Sequence, residues 1–307
     1  MPQVFYGPYD ERNSDYANSG NAMLGRFPLG HTLELPDGRQ YKFTLNDSTV
    51  EIAGNLYQSV ASVAGHVSRP VDVVRAIDAT SVSATLVTTA AAVDIYAEGI
   101  THVNPTPGQG YAYRNRRAFT VGNAHAASVA SGVLTLALAP GEMLQVALTT
   151  ASQLTFTRNR YHQVLISAAP LTAGVAGVSP GVAAADRFYW SQVKGYAAVL
   201  GSGTLLAGLP VMAGITTAGS VEGLKRRVRS AGVTVNLPTT LVMVGLRMTD
   251  QDGNTTDFMT IATVSTYVTT TMDITGGIAI NSQTIGTVIK ANVTADFSLI
   301  DLAIPTS

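Results

Sequence analysis

Apolar and polar residues alternate most clearly over residues 31–45, HTLELPDGRQYKFTL. The alternation in TLEL and again in YKFTL is typical of strands with one buried face. Between the two runs, Pro36 presets φ, Asp37 can close an Asx-type turn, and Gly38 accepts a positive φ. The pattern predicts a hairpin in which Phe43 is buried and Lys42 lies on the opposite face.

A second strand–turn–strand pattern covers residues 96–117, YAEGITHVNPTPGQGYAYRNRR. Tyr96, Ile100 and Val103 fall in one short extended run, Tyr111 and Tyr113 fall in the other, and asparagine, proline and glycine fill the gap. This composition predicts a turn between two strands. The segment offers no nucleophile beside a base and no set of metal ligands, which indicates a β-scaffold rather than a catalytic centre.

Short apolar runs continue to the end of the chain, separated by glycine, proline and asparagine. The predicted strands lie within Val50–Val63, Val133–Leu138, Met143–Leu148, Leu154–Thr157, Gln163–Ile166, Phe188–Val193 and residues 233–290. No stretch has three turns of helical periodicity; Val221–Arg229 is the sole helix candidate and could equally be a strand. The sequence therefore predicts an all-β fold of sandwich- or barrel-like domains, built from many short antiparallel strands.

The final run, DFSLIDLAI at residues 296–304, carries apolar residues on both faces. Ile300, Leu302 and Ile304 share one face, while Phe297 and Leu299 share the other. This pattern is typical of a strand buried in a sandwich or placed at a subunit contact.

Three regions follow from these patterns. Residues 1–28 are predicted to be an extended N-terminal arm, in which Tyr6, Tyr9 and Tyr16 lie among asparagine, serine, glycine and proline. The arm is either a loose tail or a segment ordered against a neighbouring subunit. Residues 29–120 and 121–307 are predicted to be two β-domains, and residues 216–284 an enlarged or inserted segment of the second.

The composition narrows the classes of partner. Only 13% of the 307 residues are charged, compared with roughly 25% in ordinary soluble domains, which favours contact with other proteins. The net charge of −1 gives no positive field for nucleic acid or an anionic membrane, and we expect neither as a partner. The apolar runs are shorter than the ~20 residues that span a bilayer. Without cysteine or a signal-like N-terminus, synthesis in a cytoplasm is expected.

Two patterns superficially resemble reactive sites. Residues 177–181, GVSPG, match the letters of the G-x-S-x-G nucleophile elbow. The residue after the serine is proline, which has no N–H to donate to an oxyanion, so the match does not predict a hydrolase. Asp250 and Asp252 lie in DQDGN, where the glycine comes too early for an EF-hand, and a solvated turn is the simpler interpretation.

The five histidines do not form a metal-binding pattern. His31, His66, His102, His125 and His162 show neither i, i+4 nor HxH spacing, and each is interpreted as an ordinary loop or strand residue. The sequence therefore predicts no catalytic residue, no metal site and no cofactor.

Two basic clusters are candidate protein contacts. Lys225, Arg226, Arg227 and Arg229 form one cluster, and residues 114–117, RNRR, form the other. Each is either a solvated face or a surface that docks onto acidic protein groups, since guanidinium groups pair bidentately with carboxylates. The candidate interface residues are Tyr6, Tyr9, Tyr16, Arg114, Arg116, Arg226 and Arg227.

Several runs, in the same order, resemble a family of virion proteins. They are LELPDGRQYKFTLNDSTVEIAGNLYQ, SVSATLV, VDIYAEGITHVNPTPGQGYAYRNRR, MLQVALTTASQLTFTRNRYHQVLIS, RFYWSQVKGYAAVL and IGTVIKANVTADFSLIDLAI. Together they are similar to the head decoration, or cement, proteins of tailed bacteriophages. The resemblance covers about residues 24–215 and 285–304, and residues 216–284 depart from it.

The resemblance implies a β-rich, often trimeric protein on the outer surface of the capsid. It implies the major capsid protein and other copies of the chain as partners, synthesis in the host cytoplasm, and a non-enzymatic role that stabilises the shell. One alternative is a tail or head-fibre component that binds host surface polysaccharide. A polysaccharide-degrading enzyme is a third hypothesis, but the carboxylates are too scattered to nominate the catalytic pair it needs.

Overall fold

The computed structural model describes residues 27–117, 125–224, 284–291 and 296–305, together with four strands inside residues 233–272. These residues form twenty strands, and their only helical element is a 3₁₀ turn at Ala64–His66. All of the strand pairings are antiparallel. The prediction of an all-β fold with many short antiparallel strands is confirmed.

Ten strands form the main sheet. They are β1 (Thr32–Glu34), β2 (Gln40–Leu45), β3 (Leu56–Gln58), β10 (Leu165–Ile166), β11 (Val175–Val178), β12 (Phe188–Leu200), β13 (Pro210–Ala213), β14 (Val221–Gly223), β19 (Gly286–Lys290) and β20 (Phe297–Ala303). Their order is β10-β3-β11-β12-β20-β19-β13-β14, and β2 pairs with both β12 and β1. The sheet curls, so the strands form part of a barrel.

The long strand β12 pairs with strands from both ends of the described chain. Its first half pairs with β2, placing Trp190 opposite Phe43, and its second half pairs with β20, placing Ala197 opposite Ile300. A bulge in the pairing with β2 lies between Gln192 and Lys194. Residues 188–193 are all buried, whereas exposed and buried residues alternate from 194 to 199.

Two smaller sheets follow the first hairpin. Their strands are β4 (Arg69–Pro70), β5 (Ser81–Thr85), β6 (Ile100–Val103), β7 (Ala112–Arg114), β8 (Val133–Ala137) and β9 (Gln153–Thr157). The order β4-β9-β6-β7 makes one sheet, and β5 pairs with β8 in the other. Their buried side chains form one apolar cluster that includes Leu136, Leu154 and Phe156.

The hairpin predicted at residues 31–45 is present with the expected register. Leu33 pairs with Tyr41, the Gly38 N–H donates to the Leu35 carbonyl, and the Leu35 N–H donates to the Arg39 carbonyl, both at 2.9 Å. Gly38 has φ of 85°, as the turn requires. Phe43 is fully buried and stacks on Phe188 with ring centroids 5.1 Å apart.

Elsewhere the strand predictions need correction. The second predicted hairpin is present as β6 and β7, but Tyr96 lies in the turns before β6 rather than in the strand. Met143–Leu148 forms no strand; its Leu144 and Leu148 are buried in the apolar cluster without ladder pairing. Val221–Gly223 is a strand, so the segment Val221–Arg229, interpreted as either helix or strand, begins as a strand.

The chain divides into two compact units. One contains Met1–Leu224 with Asn281–Ser307, and the other contains Lys225–Ile280. The second unit has two strand pairs: β15 (Val233–Val235) with β18 (Thr270–Met272), and β16 (Leu246–Thr249) with β17 (Thr255–Met259). It falls inside the segment 216–284 that the sequence singles out. The main sheet takes strands from both sides of the boundary predicted at residue 120.

Candidate functional site

The second half of β12 and its partner β20 present an exposed face to solvent. This β12–β20 outer face consists of Lys194, Tyr196, Ala198 and Leu200 of β12 with Phe297, Leu299, Asp301 and Ala303 of β20. Tyr196 is 59% exposed, Phe297 42% and Leu299 38%. The alternate residues Val199, Ile300 and Leu302 are buried in the core beneath. The sequence left two interpretations of the last strand, burial in a sandwich and a subunit contact. In the structure, one face of β20 is buried in the core of the sheet and the opposite face is exposed.

A groove of about 320 Å³ lies beside this face. Tyr196 and Phe297 line one side, the Ala53–Gly54 turn and residues 178–180 line another, and Arg39 of the first hairpin contributes a third. The lining is mainly apolar and aromatic. Grooves of this kind bind side chains of a partner more readily than they bind charged ligands.

Gly54 determines how closely the Phe297 ring can approach the turn. It has φ of 77°, and a Cβ on Gly54 would lie 2.4 Å from Phe297 Cε1. The Gly54 N–H donates to the Ser179 carbonyl at 2.7 Å, and its carbonyl accepts from the Leu200 N–H at 2.9 Å. A side chain at this position would both strain the backbone and displace the ring.

Three of the four polar side chains of the groove are already bonded within the chain. Arg39 forms an ion pair with Asp37 at 2.6 Å. Ser179 donates its hydroxyl to the Gly181 carbonyl at 2.6 Å, and Gln192 donates from Nε2 to the carbonyls of Lys194 and Tyr196. Because these bonds hold its side chains in place, the groove is a fixed, largely apolar contact surface.

A buried carboxyl group lies behind the same turn. Glu51 is 1% exposed, and neither of its oxygens has a well-formed hydrogen bond among the described residues. Burial raises the pKa of Glu51 from 4.5 to about 8, and the nearby hydroxyls of Tyr189 and Ser179 offset part of the rise. Burial, followed by the charge of Glu51, raises the pKa of Tyr189 as well. At neutral pH the carboxyl is therefore mainly protonated.

Two of the seven predicted interface residues, Arg114 and Arg116, lie in the described part of the chain. Arg114 is on β7, with its side chain 68% exposed, and its Nε donates to Glu142 at 2.9 Å. Arg116 follows β7, and its N–H donates to the Ala137 carbonyl. Neither arginine lines the groove. Tyr6, Tyr9, Tyr16, Arg226 and Arg227 lie outside the described residues, and their interface role stays a prediction.

The motifs that superficially resemble reactive sites can be placed as well. Ser179 is buried, with its hydroxyl committed to Gly181, in a segment that joins two strands, which is not the exposed strand-to-helix turn of a nucleophile elbow. Asp250 and Asp252 lie outside the described residues. His66 and His125 both contact Tyr96, an association that their separation in sequence did not indicate.

The described residues contain no group of three or more histidine, cysteine, aspartate or glutamate side chains placed to hold a metal ion. They also contain no helix with the length and hydropathy needed to cross a membrane.

Sequence reasoning identified Phe297 and Leu299 as one face of the last strand but did not find Tyr196 or the groove. The groove combines residues from five separate segments, between Arg39 and Phe297. Alternation along β12 would have marked Tyr196 as outward facing, but only the pairing with β20 shows which residues share its face.

Comparisons of the chain with protein-family models, with curated proteins and with solved structures gave no match.

Proposed function

We propose that this protein is a decoration protein of a tailed-bacteriophage head. It binds the outer surface of the capsid between major capsid protein subunits and stabilises the shell. The proposal is supported by the sequence resemblance and, above all, by the β12–β20 outer face, where aromatic and aliphatic side chains stand exposed beside an apolar groove. Exposed apolar patches on a folded protein mark sites of protein contact.

The β12–β20 outer face is proposed as the contact between copies in a homotrimer. Tyr196 and Leu299 are the anchor residues, since large side chains near the centre of an interface contribute most of its binding free energy. The N-terminal arm and the arginines at 114, 116, 226 and 227 are left to meet the capsid. A trimer that binds several capsid subunits gains affinity by avidity and stabilises the assembled shell by mass action.

The proposed role is binding rather than catalysis. Of the four polar side chains of the groove, Arg39, Ser179 and Gln192 are already bonded to other groups of the same chain, and Tyr196 is an anchor of the proposed trimer contact. A catalytic centre would need a titratable group free to exchange a proton with a substrate. The groove instead provides shape and apolar area.

Capsids assembled without this protein provide the test. Added purified protein should co-sediment with them to a saturating occupancy of hundreds of copies per particle, and should raise the temperature at which the capsids break open. Absence of binding to capsids would contradict the proposal. A virion that carries only a dozen copies or fewer would favour the alternative, a tail or head-fibre component that binds host polysaccharide.

A further inference from the structure

A second pocket, of about 310 Å³, shares no lining residue with the groove beside the β12–β20 outer face. It forms where the end of β9 meets the loop after β3 and the segment before β11, with the ring of Tyr96 as one wall. Arg158 and Arg160 both line it. Among the described residues that line the pocket, none carries a carboxylate.

Each arginine is held by neutral groups and retains an unused donor. Arg160 donates from Nη1 to the Pro305 carbonyl at 2.7 Å and from Nη2 to the Val175 carbonyl. Arg158 donates from Nη1 to Gln163 Oε1 at 3.4 Å. In both side chains the Nε–H is buried and has no partner in the described part of the chain. A cationic side chain without a nearby anion is costly to bury, and an oxyanion beside the two guanidinium groups would offset that cost.

Gly174, another lining residue, lies against the Arg160 side chain. A Cβ built on Gly174 would lie 3.7 Å from Arg160 Nε, an ordinary contact distance. Gly174 is exposed and its φ is not in the left-handed region. The absence of a side chain at this position therefore leaves space in the pocket beside the Arg160 guanidinium group.

Positive charge around the pocket is not balanced locally. The ion pairs among the described residues are Arg39–Asp37, Arg114–Glu142 and Arg117–Glu98, and none includes Arg158 or Arg160. Burial and then the charge of Arg160 lower the pKa of Lys42. Burial, followed by the charges of Arg158 and His125, lowers the pKa of His162 to about 4. An anion in the pocket would relieve these repulsions.

Hydrogen bonds hold the Tyr96 wall of the pocket in place. The Tyr96 hydroxyl contacts His66 Nδ1, the Tyr96 backbone N–H donates to His125 Nε2 at 3.1 Å, and the Tyr96 carbonyl accepts from Asn115 at 2.8 Å. Serine and threonine residues also line the pocket. A volume near 310 Å³ is at the small end of the range for ligand pockets, which suits a molecule of monosaccharide size.

We propose that this pocket binds a small oxyanion, a carboxylate, sulfate or phosphate group, through the guanidinium groups of Arg158 and Arg160. The group is carried by a molecule no larger than a monosaccharide, whose hydroxyls meet serine and threonine side chains of the pocket lining. The site is separate from the β12–β20 outer face and does not depend on the proposed capsid role.

The test uses the full-length protein at constant ionic strength. Sodium acetate, sulfate, phosphate, glucuronate and, as reference, chloride are each titrated, and the thermal midpoint and binding heat are measured. We expect at least one oxyanion to raise the midpoint in a saturable manner above chloride. Stronger binding of glucuronate than of acetate would assign an acidic sugar, and equal or stronger binding of the simple ions would assign a free oxyanion.

Three variants locate the site. Arg158→Gln should weaken binding about ten- to a hundredfold, the effect of losing one charge-assisted hydrogen bond. Gly174→Val should also weaken it, because the new side chain fills the space beside the Arg160 guanidinium group while both arginines remain. Arg114→Gln, at an exposed arginine paired with Glu142, is the matched control and should bind as the wild type does.

Two results would overturn the proposal. One is a wild-type protein that responds to none of the oxyanions beyond chloride. The other is a folded Gly174→Val variant that binds with wild-type affinity, which would place the bound anion elsewhere. Because Gly174→Val keeps the bonds from Arg160 to the Pro305 and Val175 carbonyls, this second result does not depend on whether Arg158→Gln folds.

Discussion

At the scale of single residues, Glu51 makes the stability of the protein depend on pH. Its carboxyl group is buried beside the hydroxyls of Tyr189 and Ser179, and burial raises its pKa to about 8. Between the ordinary value of 4.5 and about 8, the folded protein binds a proton that the unfolded chain has released. The free energy of unfolding therefore falls as pH rises through this window.

Glu51→Gln should remove that dependence, because glutamine resembles the protonated carboxyl and does not ionise. The variant and the wild type should have similar stability near pH ~4, and the variant should gain on the order of 3 to 5 kcal/mol above pH ~8. Urea unfolding of both proteins across this range measures the difference, in which the titration of other groups cancels. A difference that stays constant with pH would contradict the assignment to Glu51.

At the scale of elements, the hairpin of β1 and β2 shows what the sequence could predict. Its turn is set by Pro36, Asp37 and Gly38, three adjacent residues, and its faces are set by alternation over a few positions. All of these determinants are local. One face is less simple than the alternation indicates, because Thr44, which lies on the same side of the strand as Lys42, is fully buried.

Substitutions in this hairpin should differ in a definite order. Gly38→Val should cost on the order of 1 to 2 kcal/mol, because its φ of 85° penalises a β-branched residue although the space around it is open. Phe43→Ala should cost roughly 3 to 5 kcal/mol, since the ring is fully buried. Lys42→Ala loses a 2.7 Å bond to Thr32 Oγ1 and should cost about 1 kcal/mol or less.

Thermal and urea unfolding of the three variants measure this order. If Lys42→Ala proved as costly as Phe43→Ala, the buried aromatic face would not be what fixes this strand. Loss of capsid attachment in an otherwise stable Lys42→Ala variant would instead place the outer side of the hairpin at the docking surface.

The elements that the sequence did not predict depend on distant pairing. The pattern predicted a strand at Phe188–Val193, yet β12 continues to Leu200 because β20, about a hundred residues later, pairs with its second half. The arginine pocket likewise joins residues from Ser59 to Gly174. The sequence TRNR at 157–160 places two arginines just after a strand. The neighbouring sequence does not indicate that the described residues lining the pocket carry no carboxylate.

At the scale of the whole molecule, the β12–β20 outer face should control self-association. The purified protein is expected to be a homotrimer or larger oligomer at micromolar concentration. Leu299→Asp should weaken association at least about tenfold, the equivalent of about 1.4 kcal/mol, because it introduces a charge into an apolar contact. Analytical ultracentrifugation measures the change, and Val74→Asp, at another exposed apolar residue, is the control. A wild-type monomer would contradict the role of this face.

Deletion of residues 1–24 tests the predicted arm, which lies outside the described residues. The β-core should fold without it, since Phe27 and the residues after it supply the aromatic contacts with Phe43 and Trp190. Attachment to capsids should weaken if the arm's tyrosines dock there. Circular dichroism and capsid co-sedimentation measure the two effects, and undiminished occupancy would argue against docking by the arm.

The pairing of β12 with β20 also determines the order of events during synthesis. Strands β2 and β12 can meet once residue 200 has left the ribosome, but β19 and β20 follow only after the whole unit Lys225–Ile280 has been made. Until then the second half of β12 has an unpaired edge, and contacts so distant in sequence form slowly. The β12–β20 outer face, which is proposed as the contact between copies, is therefore assembled only after β20 has been made, and we expect no association through it before that point.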